Sequence, residues 1–77
     1  MRIPPVKPEK ILKLLVRLGF EIKRRKGSHV ILYNKDIKKR IVVPVHFGKE
    51  LKPGLVKLII KEVGLSQEEF LRLLKEI

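Results

Sequence analysis

The 77-residue chain contains no cysteine and no tryptophan. Disulfide frameworks and thiolate zinc sites are therefore excluded, and redox chemistry says nothing about compartment. Threonine and alanine are also missing, and serine, asparagine and glutamine together number four, so the surface must be built almost entirely from charged side chains. Acidic residues are scarce, with 8 Asp+Glu against 19 Lys+Arg. The longest stretches without a charged residue, Gly27 to Asn34 and Ile41 to Gly48, are eight residues each, far short of the ~20 apolar residues that span a bilayer. The start, Met1-Arg2-Ile3-Pro4-Pro5, lacks the apolar run of a secretory signal. The expectation is a cytoplasmic protein with no membrane association.

Apolar residues make up 44% of the chain, mostly Leu (12), Ile (9) and Val (8), enough to fill one core and to argue against disorder. The length suits one domain spanning residues 1–77. The net charge of +11 is uneven. Residues 1–61 carry 17 basic and 4 acidic side chains, and residues 62–77 carry 2 and 4. A field of this kind on so small a body points to a polyanionic partner, because basic clusters gain affinity for phosphates by releasing condensed counterions. A composition rich in Lys and Glu and poor in amides also fits a hot environment. That explains abundant charge but not an excess of one sign.

Pro8 suits the first turn of a helix, where its missing donor would be unpaired anyway. Ile11, Leu12, Leu14, Leu15 and Leu18 follow helical spacing, and Gly19 supplies a left-handed stop. A helix over 8–18 is predicted. Three segments rich in β-branched and aromatic residues follow, Phe20–Arg25, Ser28–Asn34 and Arg40–Val43, punctuated by Gly27 and by Asn34-Lys35-Asp36. They read as an antiparallel meander. After the loop 45–52, Pro53 opens a second helix with Leu55, Val56, Ile59, Ile60 and Val63 on one stripe, ending at Gly64. Ser66-Gln67-Glu68-Glu69 is a capping box that starts a third helix, about 67–76. The fold class expected is α+β, αβββα(α), with a three-stranded antiparallel sheet covered by helices on one face.

Such a sheet alternates buried and open positions. Pairing Ile22 with Val30 and Phe20 with Leu32, with a bulged turn around Gly27, and then Leu32 with Ile41 and Val30 with Val43, gathers these residues on the core face. The opposite face then presents Lys23, His29, Ile31, Tyr33, Arg40 and Val42. It is basic and partly apolar, a surface for a protein partner or for bases stacked on Tyr33, unless the final helix folds over it. In this register His29 faces about Pro44 and Gly27 faces about His46, which brings both histidines to one end of the sheet.

Histidines are often idle on surfaces or satisfied in cores, but the setting of His29 is chemical. Gly27-Ser28-His29 follows directly on Lys23-Arg24-Arg25-Lys26. Cleaving RNA without a metal needs a base for the 2′-hydroxyl proton, an acid for the leaving 5′-oxygen, and cations for the charge on the phosphoryl oxygens. Imidazole titrates near neutrality and Lys or Arg supplies fixed charge. Ser28 could orient a phosphate oxygen, and Gly27 permits close backbone approach. Two histidines 17 residues apart with no adjacent carboxylate make a poor zinc site. Ser28 has no orienting carboxylate to make it a nucleophile, and no glycine pair has phosphate-loop spacing. No metal and no small-molecule cofactor is expected.

Gly19-Phe20, Arg25-Lys26-Gly27-Ser28-His29, Val43-Pro44-Val45-His46 and Glu50-Leu51-Lys52-Pro53-Gly54, leading to Val63-Gly64-Leu65-Ser66, together resemble the HicA (YcfA-like) family of toxin mRNA interferases, in order and over about residues 8–74. The resemblance implies a fold similar to double-stranded-RNA-binding domains, a ribosome-independent endoribonuclease acting on mRNA, and a HicB-like antitoxin as partner. The family's catalytic histidine corresponds to His29. His46 is an accessory catalytic candidate from the strand register alone, and Ser28 is one from its place beside His29. Many relatives have a second histidine after Gly-Ser, where this chain has Val30, a position that faces the core. The RNA-binding candidates are Lys23, Arg24, Arg25, Lys26, Gly27, Tyr33 and Arg40. The rival reading is a non-catalytic module of the double-stranded-RNA type, with Lys49, Lys52, Lys57 and Lys61 straddling a groove.

Overall fold

The computed structural model describes residues 3–46 and 48–77. The elements run α1 (Pro8–Arg17), β1 (Glu21–Lys26), β2 (His29–Asn34), β3 (Lys39–Pro44), α2 (Pro53–Val63) and α3 (Gln67–Lys75), with sheet order β1-β2-β3, antiparallel throughout. The α+β class is as predicted, and element ends differ from the expected ones by a residue or so. Prolines occupy the first turns of α1 and α2, where neither N-cap residue offers a side-chain acceptor. Ser66 caps α3: its Oγ accepts from the Glu69 N–H at 3.2 Å and donates to Glu69 Oε1 at 3.2 Å.

The exit from α1 explains the first divergence from expectation. Gly19 adopts φ +101°, its N–H donates to the Val16 carbonyl, and the Phe20 N–H reaches back to the Leu15 carbonyl. This is the Schellman closure, in which the residue after the glycine drops an apolar side chain onto the last turn. Phe20 is accordingly buried, but as part of the helix stop and not as a strand residue paired with Leu32. Ile22 takes the place opposite Leu32, and Arg25, not Ile22, faces Val30. The turn Gly27-Ser28 is a two-residue hairpin loop with Gly27 at φ +59°, a geometry matched to strand twist. The extra residue of β1 is absorbed farther back, by a bulge at Lys23 between Ile22 and Arg24. Ile22, expected in the core, is 49% exposed. The β2–β3 register is the predicted one, with Val30 opposite Val43, Leu32 opposite Ile41 and His29 opposite Pro44.

One face of the sheet joins the core through Val30, Leu32, Ile41 and Val43, which pack with Ile11, Leu14 and Leu15 of α1, Val56, Ile59 and Ile60 of α2, and Phe70 and Leu74 of α3. Fully burying each such aliphatic side chain is worth roughly 1.5–3 kcal/mol before conformational entropy is counted. α1 and α2 pack on the sheet, and α3 packs on α1 and α2. The third helix therefore leaves the opposite sheet face uncovered. The proline-rich start also belongs to the core, which its sequence did not signal: Ile3 and Val6 are buried, and Val6 bridges Leu51, whose N–H donates to the Val6 carbonyl at 2.7 Å.

Candidate nucleic-acid interface

Strand parity and the bulge decide which side chains share the open face. Across the three strands it carries Lys26, His29 and Pro44 in one row, Arg24, Ile31 and Val42 in the next, and Glu21, Tyr33 and Arg40 in the third. Directly opposed residues have Cβ atoms about 4.5–5.5 Å apart, so each row is a contact set. Arg25 lies on the helix side of the sheet, opposite Val30, and so is separated from Arg24 and Lys26. The four-residue basic run is thus divided between two faces, a consequence of period-two alternation that its spelling conceals.

His29 is exposed, at the first position of β2 just after the Gly27-Ser28 loop. Ser28 is half-buried, and its carbonyl accepts from the Val45 N–H, which extends the β2–β3 ladder one step past Pro44. The chain segments bearing the two histidines therefore meet at one end of the sheet. His46 is exposed too, but it lines a recess of about 280 Å³ with Pro44, Lys49, Glu50, Leu51, Lys52 and Leu55. His29 and Ser28 are not among that recess's walls. The His46 carbonyl accepts from the Lys49 N–H at 3.1 Å. Phe47, in the same loop, lies outside the described residues. Tyr33 and Arg40 are directly opposed at the far end of the face, four residues or about 13 Å along β2 from His29.

The charge on this face is almost all positive. Its one carboxylate, Glu21, is paired with Lys23 at 3.0 Å, and the Lys23 ammonium holds the Glu21 carboxyl below the ordinary carboxylate range. Among the described residues the other ion pair is Lys39–Glu62 at 3.9 Å, so Arg24, Arg25, Lys26 and Arg40 present their charge to solvent without a carboxylate partner. Between the cations, Val42 is 39% exposed and Ile31 and Tyr33 are half-buried. Among the described residues no three His, Asp or Glu side chains gather in a metal-binding group.

Sequence reasoning missed what holds the far end of this surface in place. Asn34 is 3% exposed, and its Nδ2 donates to the Leu18 carbonyl at 3.2 Å while its Oδ1 accepts from the Asp36 N–H at 2.9 Å. One amide thereby ties the β2–β3 turn to the end of α1. Gly19 sits against it, leaving 3.2 Å between a Cβ built there and Asn34 Nδ2. Asparagine punctuating a turn was visible in the sequence; its reach to Leu18 was not.

The model of the family described as "HicA toxin of bacterial toxin-antitoxin" matches residues 8–65. The chain belongs to the HicA toxin family. The match contains every candidate residue from Lys23 to His46, and α1, the whole sheet and α2, while the buried start and α3 lie beyond it. Comparison with curated proteins finds no match. HicA membership places the chain in a family of toxins from toxin–antitoxin systems. Among the described residues no helix is long and apolar enough to cross a membrane.

Proposed function

We propose that this HicA-family chain is a ribosome-independent, metal-independent endoribonuclease that cleaves mRNA, and that a HicB-like antitoxin in the cytoplasm restrains it. The observation that carries the reading is the placement of His29: an exposed imidazole at the end of an open, cationic sheet face, flanked across the sheet by Lys26 and preceded by a loop with Gly27 in a conformation that favours glycine. In the reaction, the ribose 2′-oxygen attacks the adjacent phosphorus as its proton passes to a base, and the bond from phosphorus to the 5′-oxygen breaks as that oxygen gains a proton. His29 serves as one of these two proton carriers. Lys26 stands nearest to offset charge gathering on the phosphoryl oxygens, with Ser28 shaping the phosphate pocket. His46 is a weaker accessory candidate, since its recess does not include His29. Arg24, Tyr33 and Arg40 hold the substrate strand, with Lys23 partly neutralised by Glu21 and Arg25 reaching the backbone only from the other side.

The test is cleavage of end-labelled RNA in EDTA. The wild-type chain should cut, and His29→Ala, with its fold verified by circular dichroism, should lose the roughly 10²–10⁴-fold contributed by acid–base catalysis. Undiminished cutting by the variant would overturn the assignment. RNA that stays intact with wild-type protein, bound with steep salt dependence, would identify a non-catalytic binding module.

A further inference from the structure

The open face has more structure than a basic patch requires. Its apolar residues run over β2 and β3, Ile31 and Val42 side by side in the second row with Tyr33 in the third, while Arg24 and Lys26 flank them on β1 and Arg40 stands beside Tyr33 on β3, with Glu21 on the other side of that row. A surface meant only to hold a duplex backbone needs cations and has no use for half-exposed Ile, Val and Tyr between them, because the bases of a duplex are stacked inside it. Bases that are free of pairing, in contrast, stack on aromatic and apolar side chains while basic side chains track their phosphates.

The row spacing points the same way. Successive rows are two residues apart along each strand, about 7 Å, roughly twice the 3.4 Å rise of a stacked nucleic-acid strand. A strand that seats one base per row must therefore have its bases drawn apart, which paired RNA does not permit.

We infer that the open face is a three-row track for unpaired RNA: the phosphate to be cut sits in the first row between Lys26 and His29, one neighbouring base lies on Ile31 and Val42, and the next stacks on Tyr33 beside Arg40. This rests on the reading of RNA as the substrate and adds where the strand lies, which side chains seat its bases, and that the α2 lysines are not the route. It also makes Ile31 and Val42, which carry no reactive group, part of the binding surface.

The experiment uses the His29→Ala chain, fluorescence anisotropy, and a labelled 12-nucleotide RNA of mixed sequence, either single-stranded or annealed to its complement, with RNA integrity checked on a gel. Single-stranded RNA should bind more tightly than the duplex. Adding Tyr33→Ala should weaken it about tenfold (roughly five- to 150-fold), Tyr33→Phe should restore it, and the pair Lys57→Ala and Lys61→Ala on α2 should leave that preference and the Tyr33 effect intact. Val42→Glu gives a second readout at an exposed position should Tyr33→Ala lower the melting temperature, and it should also weaken the single strand selectively. A preference for duplex, or loss on changing the α2 lysines with none on changing Tyr33 and Val42, would overturn the track while leaving RNA as the partner. Failure of folded protein to bind either RNA would overturn the track and the RNA reading together. Cutting of the RNA by the His29→Ala chain would count against the role of His29 alone, with the anisotropy comparison repeated on an uncleavable 2′-deoxy strand.

Discussion

The two faces of β2 differ at every step along the same six residues. Val30, Leu32 and Asn34 are buried, while His29, Ile31 and Tyr33 reach solvent in part or in full. Backbone pairing is shared by both sets, so the contrast comes entirely from what lies above and below the sheet. Helices α1 and α2 cover one side, α3 packs on those helices, and nothing among the described residues covers the other. Residues of the covered face hold the fold together. Those of the open face are left in part or in full to solvent.

Neighbouring substitutions can break this contrast. Leu32→Ala should cost 2–5 kcal/mol through lost burial and the cavity left behind, at about the range seen for buried leucines. Ile31→Ala, one residue away, should cost about 1 kcal/mol or less because solvent already meets part of its side chain. Urea denaturation of both variants measures the difference, and equal losses would mean that the open face is also packed. Asn34→Ala asks whether the buried polar member of the covered face is structural. It strands the Leu18 carbonyl and removes the acceptor for the Asp36 N–H, so the midpoint should fall by an amount corresponding to about 1–3 kcal/mol. An unchanged midpoint would show that water replaces the amide freely.

The smallest effect belongs to the exposed Glu21–Lys23 pair. Because the folded-state pKa of Glu21 is lowered, the pair's contribution is present above the ordinary carboxylate value near 4.5 and disappears as pH falls through the lower folded value. Glu21→Gln should therefore melt slightly below the wild type at neutral pH, with the gap closing under acid and in high salt. A gap that widened as pH fell would reverse the assignment of sign. If the open face binds RNA, the same substitution releases Lys23 and should tighten binding modestly.

The candidate site was partly legible in the sequence. His29, the cations before it and the pairing of His29 with Pro44 followed from motif and alternation, and the α+β order followed from helical spacing and from prolines and glycines at helix ends. Which members of Lys23-Arg24-Arg25-Lys26 lie on which face was not legible, because it depends on a bulge between Ile22 and Arg24 that no residue type announces. The separate recess around His46 depends on residues 49–52 and Leu55 of α2, which line it. The buried roles of Ile3 and Val6 depend on Leu51, forty-five residues beyond Val6 in the chain.

Local physics accounts for what the sequence determined alone. Proline restricts φ, glycine admits positive φ, and apolar residues recur with the period of their element, so element types and their ends are written within a few neighbouring residues. Composition likewise set the sign and excess of charge. Tertiary structure decided the β1 register, the exposure of Ile22, the course of Asn34's amide and the bare second face of the sheet. Each of these is a balance among segments distant in sequence, where helix stop, hairpin loop and core packing must be satisfied at once, and the strand yields at Lys23 to accommodate them.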